Sequence, residues 1–184
     1  MLILILGVAL WWAPHLFKRV APDARANMGD RGKGLVAGTL ILSVILMIWG
    51  YRVAPADSIW WGPSPMMKGI NNLLVLIAFY LFAAAGMKTG LASRLRHPQL
   101  TGFALWAFAH LLVNGDLPSL VLFGGLMAWA IVEMIVINRA EPGWTPPAHA
   151  VPIRKEGMAA LGAVVVFGLI GLIHAWLGYN PFGA

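Results

Sequence analysis

Six apolar stretches take up most of this 184-residue chain, and nearly all of its Lys and Arg residues fall in every second connection between them. The stretches are Leu2–Phe17, Leu35–Tyr51, Ile70–Met87, Leu100–Val113, Leu117–Ile137 and Met158–Leu177. A bilayer core takes about 20 helical residues to cross, or about 17 at the short end. Lipid offers no partner to an unpaired backbone amide, so apolar runs of this length read as helices. The pattern predicts an all-α fold: a polytopic membrane helix bundle of about six transmembrane helices, forming one domain over residues 1–184. The fourth stretch is short, which predicts a helix that is tilted, sunken or shielded by its neighbours. Composition agrees, because a soluble domain of this size could not hide a chain that is 60% hydrophobic and 11% charged.

The charges predict the orientation. The first connection carries Lys18, Arg19, Arg25, Arg31 and Lys33, the third Lys88, Arg94 and Arg96, and the fifth Arg139, Arg154 and Lys155. The second holds only Arg52 and Lys68, so 11 of the 13 basic residues fall on one side. The positive-inside rule makes that side cytoplasmic and puts both termini outside. A bacterial inner membrane is the expected location. Topology accounts for the basic excess, so no nucleic-acid partner is expected. The first stretch is followed by its positive charges rather than preceded by them, which reads as a retained span and not a signal peptide. The chain has no cysteine, which excludes disulfides, thiolate metal sites and covalent c-type haem.

Several motifs read as structural. Gly29-Asp30-Arg31-Gly32-Lys33-Gly34 lacks the preceding strand and the spacing of a phosphate loop. Gly34-x-x-x-Gly38 and Gly124-Gly125 suit close helix approach. Trp11, Trp12, Trp60, Trp61 and Trp176 suit interfacial anchoring or lipid-facing bulk. The Pro-rich piece Glu141–Pro152, with His149, reads as a loop.

A small polar set then remains within or beside the spans: His15, Asn71, Asn72, His97, His110, Asn114, Glu133 and His174. Ionisable groups at membrane depth are costly and usually face the bundle interior. Histidine can stay neutral and keeps a ring nitrogen able to ligate iron or zinc. Each of these residues also suits a plain interhelical hydrogen bond, and His174, beside Trp176 and Tyr179, reads first as interfacial. His15 lies near the cytoplasmic end of the first span. His110 lies about nine residues, or roughly 14 Å, into the fourth, so their apparent depths differ. Arg96-His97-Pro98 puts two basic side chains before a proline able to begin a helix, whose N-terminus adds partial positive charge. An anionic head group or a cofactor carboxylate would be well received there, although a basic loop serving orientation alone has the same composition.

The run from Leu95 to Leu117, containing Arg96-His97-Pro98-Gln99-Leu100-Thr101-Gly102 and Trp106-Ala-Phe-Ala-His110, strongly resembles the NnrU family of bacterial membrane proteins. Ala13-Pro-His15-Leu-Phe-Lys-Arg19, Asn71-Asn72-Leu73, Gly86-Met87-Lys88, Asn138-Arg-Ala-Glu-Pro142 and Ile173-His174-Ala-Trp176 extend the resemblance over essentially the whole chain. The family takes its name from an association with nitrite and nitric oxide metabolism in denitrifying bacteria. It is similar to the plant 15-cis-zeta-carotene isomerase, a membrane enzyme that uses haem b. That similarity implies haem b here, with His15 and His110 as iron ligands and propionates near Arg19, Arg96, His97 or the start of the fourth helix. It also implies a lipid-soluble substrate or a redox partner. Asn114 and Glu133 join Arg19, Arg96 and His97 as residues expected around the cofactor. The isomerase has a cysteine beside the Trp of the Trp-x-x-Ala-His pattern, where this chain has Ala107.

Arg-His-Pro at the start of a helix, followed by an acid at the membrane edge, also resembles the isoprenylcysteine and phospholipid methyltransferases. Arg96, His97, Glu133, Arg139 and Glu141 would then hold S-adenosylmethionine at the cytoplasmic face. Three function classes stay open: a haem protein in redox, sensing or isomerisation chemistry, a methyltransferase, and a cofactor-free accessory protein.

Overall fold

The computed structural model describes residues 1–146 and 151–183. Residues 147–150, His149 among them, and residue 184 lie outside the described residues. The chain forms α1 (Leu2–Val20), α2 (Pro22–Asn27), α3 (Gly29–Val53), α4 (Pro65–Met87), α5 (Gly90–Arg94), α6 (Pro98–Val113), α7 (Leu117–Ser119), α8 (Gly125–Ala140) and α9 (Ile153–Trp176). A π-helical turn, Leu120–Gly124, joins α7 to α8, so Leu117–Ala140 is one continuous apolar rod. Among the described residues, α1, α3, α4, Leu117–Ala140 and α9 are long and apolar enough to cross a membrane. The fourth apolar stretch forms the shorter α6, whose 16 residues span about 24 Å against a hydrocarbon core of about 30 Å.

Local chemistry sets the helix boundaries. Ser64 Oγ accepts the Met67 N–H at 3.2 Å, with Pro65 at the first helical position of α4. Pro98 starts α6 directly after His97. Asp116 accepts the Ser119 N–H at 2.8 Å and the Ser119 hydroxyl at 2.9 Å, starting α7 through Pro118. One feature is not helical. Ile59–Trp61 (β1) and Gly115–Asp116 (β2) pair antiparallel, and Trp61 Nε1–H donates to Leu111 O at 2.7 Å. This clasp covers the C-terminal end of the short α6.

The spans pack in a row in the order α3, α1, α8, α6, α4, α9. α1 lies along α3 and also meets α8, α8 meets α6, α6 meets α4, and α4 carries α9. The tightest crossings use glycines other than those expected from sequence. A Cβ at Gly7 would sit 2.7 Å from Met47 N, and one at Gly102 would sit 2.9 Å from Ala78 O, so α1/α3 and α4/α6 need bare backbone at these points. Gly34, Gly38 and Gly124 face open space, which corrects their reading as packing glycines; only Gly125 of the four makes a close approach, to Val8. Leu4, Val8, Met47 and Leu126 form the buried core of the first half. The outer surface stays apolar, with Ile41 63%, Leu161 66% and Leu172 64% exposed, as lipid rather than water requires.

The ends of the bundle differ. Lys18, Arg19, Arg31, Lys33, Lys88, Arg94, Arg96, Arg139, Arg154 and Lys155 all sit at helix ends or turns of one end, called the basic end here. Met1 and Gly183 lie at the other end, where Met1 precedes α1 and Gly183 O accepts from Lys68 Nζ at 2.8 Å. Trp60, Trp61 and Trp176 are exposed there, as interfacial anchors would be. Trp11 and Trp12 depart from that reading. Trp12 Nε1–H donates to Gly125 O at 3.0 Å, beside the π turn, and the Trp11 indole nitrogen is buried.

Candidate functional site

Three chain segments meet at the basic end: the last turn of α1, the start of α6 and the last turns of α8. Arg19 Nε donates to Glu133 Oε1 at 3.5 Å, and its Nη1 reaches Glu141 Oε1 at 3.4 Å. Arg96 Nη2 donates to the Glu141 backbone oxygen. His97 Nε2 pairs with Asn138 Oδ1 at 2.8 Å; an amide oxygen only accepts, so this nitrogen carries the proton. Arg139 lies exposed in the last turn of α8. Glu133 is 7% exposed, which makes it a carboxylate taken out of water on an otherwise apolar helix. Only one of its oxygens is satisfied, since Oε2 is buried without a hydrogen-bond partner. The sequence set Arg19, Arg96, His97, Glu133 and Glu141 is therefore one spatial cluster. Asn138 belongs to it, and the Asn-Arg-Ala-Glu spacing was its only sequence signal.

His15 stands one turn above Arg19 on α1. Its ring contacts Trp11 and Trp129, with centroids 4.6 and 4.5 Å away. His110 occupies a second aromatic nest, against Trp106 at 4.9 Å and Phe123 at 4.7 Å. The two share one local design. His15 Nδ1–H donates to Trp11 O at 2.7 Å and His110 Nδ1–H to Trp106 O at 2.8 Å, each one helical turn back. A carbonyl accepts only, so both tautomers are fixed and each Nε2 is left as the free nitrogen.

They do not lie at one level. Phe103 packs on Trp11 and Trp129, at 5.9 and 5.1 Å, and so marks the depth of His15. His110 follows Phe103 by seven residues on α6, about 10 Å along the axis. Phe103 and Trp106, themselves 5.3 Å apart, occupy the interval. Two imidazoles on one metal need nitrogens about 4 Å apart, twice a metal–nitrogen bond of about 2.1 Å. His15 and His110 thus do not meet on a common axis, and the aromatic rings of Phe103 and Trp106 fill the space between them. Among the described residues, no three His, Cys, Asp or Glu side chains gather as a metal-holding group.

Asn114 belongs to neither cluster. Its Nδ2 donates to His110 O at 2.8 Å, capping α6 at the end opposite the basic residues. The histidine that approaches His110 is His174, and both line a cavity of about 70 Å³ with Asn71 and Asn72. This differs from the interfacial place that its sequence setting beside Trp176 and Tyr179 suggests. The repeat of a histidine near the same end of two parallel spans is the available signal.

Comparison with curated proteins gave no match, and comparison with solved structures gave none. A family model described as NnrU protein matches residues 3–181. That match covers nearly the whole chain, including the α6 segment and both ends of the helical row, and the chain belongs to the NnrU family.

Proposed function

We propose that this protein works as a membrane-embedded enzyme with its cofactor site at the basic end, and that the cofactor is S-adenosylmethionine. The observation that carries the reading is the half-satisfied, buried Glu133 beside Arg19 and within one cluster with Arg96 and His97. Haem propionates and the carboxylate of S-adenosylmethionine would both suit the two arginines. Glu133 separates them. Its second oxygen calls for a donor, and S-adenosylmethionine brings an ammonium and a sulfonium next to its carboxylate, whereas a propionate brings only further negative charge. The cofactor would supply an electrophilic methyl group to a nucleophilic atom of a lipid-soluble acceptor, leaving a neutral thioether and releasing the acceptor's proton. Arg19 and Arg96 would hold the carboxylate, Glu133 the cationic end, and His97 the start of α6. A bacterial inner membrane with the basic end in the cytoplasm suits a cofactor made there.

The test is equilibrium dialysis of S-adenosylmethionine against detergent-purified protein. Binding weakened roughly 30-fold or more in both Arg96→Ala and Glu133→Gln is the expected result, since losing one partner of a desolvated charge pair costs about 2 kcal/mol or more. Absence of binding to the wild-type protein would end this reading.

A second reading keeps haem b, which the resemblance to the carotene isomerase implies. Haem held jointly by His15 and His110 does not fit the arrangement described above, and no step is drawn through it. On this reading His15 Nε2 would hold the iron, and the haem would supply redox or nitric oxide chemistry of the kind the family's name suggests. A reduced-minus-oxidised spectrum decides: a b-type signal lost in His15→Ala and kept in His110→Ala is the outcome this reading expects.

A further inference from the structure

The cavity between α4, α6 and α9, at the end opposite the basic residues, is lined among others by His110, His174, Asn71 and Asn72. His174 repeats the design of His15 and His110, its Nδ1–H donating to Ile170 O at 2.8 Å. The free nitrogens of His110 and His174 are therefore both Nε2, and both residues line the cavity. Asn72 Nδ2 donates to Pro181 O at 2.9 Å, which fixes that amide because a carbonyl cannot donate. Asn72 Oδ1 in turn accepts from Asn71 Nδ2 at 3.2 Å. The second amide is thereby fixed too, and its Oδ1 is buried with no partner. The network thus leaves three acceptors among the lining residues: the Nε2 atoms of His110 and His174, and Asn71 Oδ1.

We infer that His110, His174 and Asn71 form a binding site for a divalent transition-metal ion. Neutral imidazole is the ligand such ions favour, and an amide oxygen is a serviceable third. The backbone hydrogen bond on each Nδ1 is the outer-shell contact that orients metal-binding histidines. About 70 Å³ leaves room for the ion with a few waters, each needing about 10–15 Å³ of such space, and is too small for a porphyrin. The segment 177–183 closes the site. Phe182 lies over Gly171, where any Cβ would collide with its ring, and packs on Phe167 at 5.5 Å. Lys68 and Asn72 anchor the same segment through Gly183 and Pro181. This site is separate from the basic-end cluster and stands whether or not that cluster holds a cofactor.

The test uses the full chain in detergent, stripped with chelator and dialysed against Cu²⁺ or Zn²⁺. We expect about one ion per chain, and a Cu²⁺ paramagnetic resonance spectrum with hyperfine splitting from two nitrogens. His110→Ala and His174→Ala should each weaken binding about 100-fold, no less than the loss of an outer-shell partner does. His15→Ala and His97→Ala should leave it unchanged. Gly171→Leu, which displaces Phe182, should speed release to chelator. A wild-type protein that takes up no ion at micromolar metal, showing that the cavity holds only water, would overturn the assignment. So would a copper signal without nitrogen splitting, a readout that needs no variant to fold.

Discussion

Arg19 has two acidic partners of unequal weight. Glu133 is buried, so Arg19→Ala leaves a carboxylate in an apolar setting with neither oxygen satisfied. Breaking such a pair from one side costs about 3–5 kcal/mol, and the low end applies because the Arg19 side chain is 22% exposed. Glu141 is 64% exposed, and Glu141→Ala should cost about 1 kcal/mol or less. Thermal unfolding in detergent would order the variants in that way, with Arg19→Met/Glu133→Gln recovering most of the loss. The cluster was legible in sequence because a carboxylate in an apolar run and an Arg-His-Pro before a helix both stand out against a hydrophobic background. His174 was not, because residue type and distance from the chain end fit an interfacial histidine equally well. Only the packing of α9 onto α4 brings it to His110.

Among the elements, the π turn at Leu120–Gly124 has the longest reach. It holds one residue more than an α-helical turn would, and Trp12 takes the carbonyl of Gly125 beside it. Removing that residue would turn everything beyond it by about 100° and draw it back by about 1.5 Å. Trp129 and Glu133 would then leave the faces that meet His15 and Arg19. Deletion of Leu122 should therefore abolish the basic-end cluster while keeping helix content, readable as a lowered thermal midpoint in detergent with an unchanged far-ultraviolet spectrum. Gly102→Leu belongs to the same scale: it should separate α4 from α6 and lower thermal stability by several degrees, whereas Gly38→Leu, which faces open space, should not. The six-stretch pattern gave the helices and their order, since apolar length is a strong signal. It could not give the π turn or the β1/β2 clasp, since neither has a hydrophobic period, and it misplaced the packing glycines because small-residue spacing does not say which face is covered.

At the level of the whole molecule, the segregation of charge predicts sidedness. The chain has no cysteine, so single cysteines can be introduced without background. Cysteine at Asp57, in the connection before β1, should react with an impermeant maleimide added outside intact cells. Cysteine at Arg94 should react only after the membrane is opened. The reverse pattern would invert the orientation that the basic residues predict, and with it the proposal of a cytoplasmic cofactor.

The packing of α9 on α4 also fixes an order in time. About 65 residues of chain separate the end of α4 from the start of α9, so α4 is synthesised and delivered to the membrane well before the helix that covers it. In that interval the face carrying Ala84 and Tyr80 has only lipid, or an insertion factor, for company. Glu156, which accepts from Tyr80 Oη–H and from the Leu91 N–H at 2.8 Å, arrives with the first turn of α9 and closes that face behind it. A ribosome paused before α9 would thus hold a nascent bundle with an open side, the state in which a membrane chaperone or a quality-control protease would meet this protein.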